Sequence, residues 1–247
     1  MSGAAEHRPE PSGGPPDDTA GPPPQRRRSS STRELVVIVA LALGLSLLIK
    51  TFVVQAFYIP STSMLPTLEV DDRVFVSKLT TRFGGEVERG DVVVFDDPGG
   101  WLEPVPQVPA GPVQQAAREV LQFVGLAPAA GGDDLIKRVV GVEGDRVRCC
   151  DEQGRVLVNE VPLEEPYLYG PDPASDIEFD VLVPEGHLWV MGDHRAVSED
   201  SRYHRDDPRG GAVPVESVVG RAVLLVWPVA RWDVLERPAG YEALRGS

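Results

Sequence analysis

Leu135-Ile136-Lys137-Arg138-Val139-Val140-Gly141 is an apolar run that carries two adjacent cations at its centre. Its β-branched residues and its closing glycine mark it as a strand. The chain has 24 basic residues, and only three of them are lysines. An arginine at position 137 could not deprotonate. A lysine desolvated by Leu135, Ile136, Val139 and Val140 can lose its proton near neutral pH and act as a base. In a strand, Lys137 and Arg138 face opposite ways, so one of the two cations must be handled on the core side. Many strand lysines simply point to solvent, and alternation alone does not choose between the two.

Outward from this run, similar short segments recur at Arg73–Lys78, Asp91–Phe95, Arg146–Cys150, Arg155–Asn159, Phe179–Val183, His187–Met191 and Gly220–Trp227. Asp151-Glu152-Gln153-Gly154 reads as a hairpin loop. Short strands without alternating helices predict a mainly β fold, an antiparallel sheet or barrel-like domain. Residues 97–134 interrupt this pattern as a Pro/Gly-rich insertion. Within it, Pro112 to Gly125 has apolar residues at helical spacing and predicts a short amphipathic helix packed on the sheet.

The 247 residues carry a net charge of −14. Residues 1–34 hold five basic and five acidic side chains, so the acidic excess lies wholly in residues 35–247. That sign argues against nucleic acid as a partner. Residues 1–34 are rich in Pro, Gly and Ser and read as a disordered tail. Leu35 to Ile49 is a charge-free run of fifteen residues, preceded by Arg26-Arg27-Arg28 and Arg33 and followed by Lys50. Fifteen helical residues rise ~22 Å, short of the ~30 Å hydrocarbon core. Continuing the helix through Val54, with Lys50 snorkelling to the headgroups, closes the gap. The expected organisation is a cytoplasmic tail at 1–34, one transmembrane helix at 35–56, and an extracytoplasmic β-rich domain at 57–247. A signal peptide cleaved after Ala56 is the rival reading. The long tail and the motif starting directly at Phe57 count against it.

That motif is Phe57-Tyr58-Ile59-Pro60-Ser61-Thr62-Ser63-Met64-Leu65-Pro66-Thr67-Leu68. A serine paired with a neutral lysine makes a nucleophile without histidine. Two further blocks are Arg89-Gly90-Asp91-Val92-Val93-Val94-Phe95 and Gly192-Asp193-His194-Arg195-Ala196-Val197-Ser198-Glu199-Asp200-Ser201-Arg202. With the anchor and the run Ile136 to Asp145, these blocks in this order resemble bacterial type I signal peptidases, membrane-anchored Ser-Lys endopeptidases. The likeness covers the anchor and nearly all of residues 55–227.

The resemblance implies that Ser63 is the nucleophile, Lys137 its general base, and Ser61 an oxyanion-hole donor beside the Ser63 N–H. It implies that Ser198 orients the lysine and that Asp200 and Arg202 form a structural ion pair. Phe57, Ile59, Met64, Leu65, Leu68 and Ile136 match the family's pocket positions, although strand packing alone also asks for apolar residues there. The implied substrates are signal peptides of secretory preproteins, cut after small-x-small sites at the surface of the lipid bilayer. His194 departs from the family's usual Asn, and Ala196-Val197 replace a polar pair, which weakens any claim about hydrogen bonds there. His194 and His204 lack the spacing of a metal motif, and no cofactor is expected. Adjacent Cys149 and Cys150 either form a vicinal disulfide or stay free. Two other readings stand beside this one. One is a self-cleaving Ser-Lys protease of the stress-repressor type, disfavoured by the apolar segment. The other is a catalytically silent anchored β-domain that scaffolds export components.

Overall fold

The computed structural model describes residues 31–79, 85–102, 111 and 134–244. Most of the expected tail and of the 97–134 insertion, including its helix at Pro112–Gly125, lies outside these residues. Helix α1 covers Ser31–Phe52. Among the described residues no helix is long and apolar enough to cross a membrane. The expected continuation of the helix to residue 56 does not occur. Val54–Tyr58 is instead strand β1, which pairs antiparallel with β2, Arg73–Ser77. The β-branched and aromatic residues there gain a ladder partner that a helix would deny them.

The remaining strands are β3 Val92–Asp96, β4 Asp134–Gly141, β5 Arg146–Cys149, β6 Val156–Val158, β7 Val161–Pro162, β8 Phe179–Leu182, β9 His187–Met191, β10 Val213–Pro214, β11 Val218–Trp227 and β12 Asp233–Val234. They form two antiparallel sheets. The larger runs β1-β2-β11-β3-β4-β9-β10, with β12 also on β11; the smaller runs β7-β6-β5-β8. Both are open at their edges, so the antiparallel expectation is met by sheets rather than a closed barrel among the described residues. The hairpin loop expected after Cys150 joins β5 to β6, with Gly154 at a positive φ of 79°.

Strands β3 and β4 lie in the middle of the larger sheet and are buried on both faces. Val92 and Val94 pack with Phe57, Ile59, Met64, Leu68 and Ile136 on one side. Val93 and Phe95 pack with Leu135, Val139, Leu188 and Val190 on the other. Each such side chain contributes about 1.5–3 kcal/mol of transfer free energy. A run apolar on both faces is what a central strand requires. It also leaves the two cations of β4 no route to solvent.

Candidate active site

The segment carrying Ser63 is a loop between β1 and β2, closed at its neck by backbone bonds. Ile59 N–H donates to Asp72 O at 2.9 Å and Asp71 N–H to Ile59 O at 3.0 Å. Met64 and Leu68 sink into the core with no exposed surface. This pair of anchors lowers Ser63 onto β4, where Lys137 stands opposite Val93 of β3. Lys137 Nζ donates to Ser63 Oγ at 2.7 Å. Lys137 is 3% exposed and Ser63 6%. Burial lowers the lysine pKa from 10.5 to about 8, opposed by the nearby Asp200 carboxylate. Ser61 is exposed, and its Oγ lies 3.2 Å from that of Ser63.

Arg138 is as buried as Lys137, so β4 carries two interior cations rather than one. The reason is Asp193, which Arg138 binds through Nε at 2.8 Å and Nη2 at 2.6 Å. Thr67 donates its hydroxyl to the same carboxylate, tying the nucleophile loop to β4 from behind. The Tyr167 ring lies 4.1 Å from the Arg138 guanidinium, and its hydroxyl is 2.6 Å from that of Tyr241. Opposite charge outweighs desolvation at Arg138 and raises its pKa, so it stays a cation, while the lysine beside it, with no such partner in contact, has its pKa lowered. None of these partners was singled out from the sequence. Asp193 is 55 positions from Arg138, and no local pattern links them.

Asp200 and Arg202 form the expected ion pair, with Arg202 Nε 2.9 Å from Asp200 Oδ1 and both side chains fully buried. Asp200 also accepts the Gly192 N–H at 3.0 Å, which holds the turn behind the serine. Gly192 is there because nothing larger fits. A Cβ would stand 2.2 Å from Ser198 Oγ and 2.5 Å from the Ser63 carbonyl oxygen. Ser198 is thus beside the nucleophile, yet its buried hydroxyl has no hydrogen-bond partner. The contact to Lys137 implied by the resemblance is not formed; the Lys137 amine donates to Ser63.

Of the six implied pocket residues, Phe57, Ile59, Met64, Leu68 and Ile136 share one cluster, with Leu65 half-buried. Ile59, Met64 and Leu68 form its floor; Phe57 and Ile136 retain a little surface. A cavity of about 350 Å³ elsewhere, lined by Glu86, Arg89, Arg237, Tyr241 and Leu244 among others, includes none of the candidate residues. His194 and His204 are engaged separately, His194 against Tyr169 and His204 stacked on Trp101. Among the described residues no cluster of His, Cys, Asp or Glu could hold a metal. Cys149 and Cys150 are joined as a vicinal disulfide.

A buried amine of lowered pKa within hydrogen-bond reach of a serine hydroxyl can deprotonate that hydroxyl for attack on a carbonyl. A family model described as "Signal peptidase, peptidase S26" matches residues 32–227. The signal peptidase I of Mycobacterium tuberculosis (strain CDC 1551 / Oshkosh) is 40% identical over 82% of this chain and 74% of its own. A probable signal peptidase I of Mycobacterium leprae is 38% identical over 81% and 77%. A signal peptidase I of Leptolyngbya laminosa is 36% identical over 82% and 83%. The chain belongs to the signal peptidase family, peptidase S26.

Proposed function

We propose that this protein is a membrane-anchored endopeptidase that removes signal peptides from exported preproteins through a Ser63–Lys137 dyad. The observation that carries the reading is the 2.7 Å contact between the buried Lys137 amine and Ser63 Oγ. With a pKa of about 8, on the order of a tenth of the lysine is neutral at pH 7. Neutral Lys137 takes the Ser63 proton as Oγ attacks the scissile carbonyl. The oxyanion is met by the Ser63 N–H and the Ser61 hydroxyl. The lysine then protonates the leaving amine, and an acyl-enzyme remains on Ser63. Water activated by Lys137 hydrolyses it. Ser198, Asp200 and Arg202 hold the surroundings in place. The cluster of Phe57, Ile59, Met64, Leu68 and Ile136, with Leu65 beside it, is filled by its own buried side chains. That favours small side chains before the cut.

The proposed anchor is the helix that begins before Leu35. Its apolar residues from Leu35 to Leu45 are largely exposed, an arrangement that water disfavours and lipid does not. A cut after Ala56 would fall inside β1, where Ala56 pairs with Phe75, so the reading keeps the anchor attached. Trp227 and Trp232 are 52% and 64% exposed, beside exposed Val229 and Val234. Arg231 of this patch reaches Glu69 of the nucleophile loop at 2.5 Å. An exposed aromatic patch linked to the Ser63 loop through Glu69 suits a protein working at the bilayer interface. The topology proposed is a cytoplasmic N-terminus with residues 57–247 outside.

The test is incubation of the detergent-solubilised chain with a labelled preprotein and mass spectrometry of the products. One cut after a small-x-small site, absent with Ser63→Ala, is the expected result. Intact preprotein across several substrates would overturn the reading.

A further inference from the structure

The His194 imidazole occupies a socket formed by three separate pieces of chain. Its Nδ1 lies 3.2 Å from the carbonyl oxygen of Thr62, the residue before the candidate nucleophile. A carbonyl only accepts, so Nδ1 carries the proton and donates it. The His194 backbone N–H donates to the Ser63 carbonyl at 3.1 Å. One residue thus holds two consecutive carbonyls of the nucleophile segment.

The far side of the ring meets an aspartate and packs on an aromatic ring. Nε2 lies 3.7 Å from Asp172 Oδ2, an oxygen that also accepts the Ala196 N–H at 3.0 Å. The Tyr169 ring packs against the imidazole with centroids 4.2 Å apart, and the Tyr169 N–H donates to Asp193 O at 3.1 Å. Loop 169–172 is therefore stapled to residues 193–196, and His194 passes that constraint to Thr62. Ser61 and Thr62 are exposed and lack apolar anchors of their own. Ile59 fixes the segment at its neck and Met64 and Leu68 at its C-terminal side; between them the Thr62 carbonyl is held by the Leu65 N–H at 3.1 Å and by His194.

We propose that His194 is a positioning residue for the Ser63–Lys137 reaction, acting by donating its Nδ1 proton to the Thr62 carbonyl and so fixing the approach to the serine. The inference rests on the dyad reading of the site. The ring touches no reacting atom; it holds the backbone from which the nucleophile projects. Displacing that backbone by even a small amount lengthens the 2.7 Å contact on which proton transfer depends.

Three variants separate the hydrogen bond from the packing. His194→Ala removes both, His194→Phe keeps a ring against Tyr169 without a donor, and His194→Asn keeps a donor without the ring. Each is assayed for preprotein cleavage, and amide hydrogen exchange is followed over residues 60–68. The Ala and Phe variants are expected to lose about ten-fold in kcat with KM within about two-fold, and to exchange faster over 60–68. The Asn variant is expected to recover most of kcat and of the protection. Wild-type kcat and wild-type exchange in His194→Phe would overturn the inference, as would a loss confined to KM. Should wild type cleave no preprotein, the functional reading fails, while the exchange comparison still decides whether His194 holds the segment.

Discussion

Lys137 Nζ and Ser63 Oγ are 2.7 Å apart although 74 positions separate them in the chain. The contact joins a central strand to a loop that is pinned by Met64 and Leu68. The lysine is enclosed on both faces of a sheet that has no polar surface to spare. The burial that makes it a usable base also makes it a poor residue for stability, and the two consequences are separately measurable.

Lys137→Met should be inactive and more stable near neutral pH. The folded pKa of about 8 lies below the unfolded value near 10.5, so the unfolded state binds more protons between those values. Stability of the wild type therefore rises with pH through that window, and the penalty is complete below pH 8. Removing the amine should gain about 1–3 kcal/mol at pH 7, less whatever the Ser63 bond contributes. The gain should fade between pH 8 and 10.5. Urea denaturation of both proteins at pH 7 and pH 10 checks it.

Ser61→Ala should lower kcat roughly 100-fold or more with little change in folding stability. Its hydroxyl is exposed and 3.2 Å from Ser63 Oγ, so it holds little of the fold together. A turn role alone would leave kcat where it was. Steady-state cleavage and thermal unfolding distinguish the two.

Gly192→Ala should abolish most activity. The added methyl meets Ser198 Oγ at 2.2 Å and the Ser63 carbonyl at 2.5 Å. Ser198 can rotate, but the nucleophile's own backbone must move. A loss on the order of 100-fold in kcat/KM is expected, with a drop in stability of about 1–3 kcal/mol. Pairing Gly192→Ala with Ser198→Gly should relieve only the side-chain part.

Asp200→Ala should destabilise the protein by about 2–4 kcal/mol, because it removes the buried partner of the Arg202 guanidinium and leaves it only the half-exposed Asp176 carboxylate at 3.3 Å. It also releases the Gly192 N–H. Denaturant titration of the variant measures the loss, and Asp200→Asn should recover only part of it.

The pairing of Ser63 with Lys137 is legible because the two residues sit in short, recognisable blocks, and because a lysine in a run as apolar as 135–141 is conspicuous in a chain that otherwise prefers arginine. Strand positions are legible from β-branched runs, all eight of which lie close to where the ladders form. Other features are not. Residues 54–56, the first part of β1, read as part of the apolar segment before them, since an edge strand following a helix has no local sign of where one stops. Asp193 and Thr67 reach Arg138 from 55 and 71 positions away, Tyr167 and Tyr241 join them from further along the chain, and only the packed sheet brings them together. His194 looked like a departure from a pattern; its value lies in the Thr62 carbonyl 132 residues away.

The most direct test of the Ser63–Lys137 account is the pH dependence of kcat/KM for one preprotein between pH 6 and 10. Because the lysine must be neutral to take the serine proton, the rate should climb about ten-fold per pH unit at low pH and level off above the lysine pKa of about 8. A flat profile, or one that turns near pH 6.5 as an ordinary histidine would make it, would contradict Lys137 as the base.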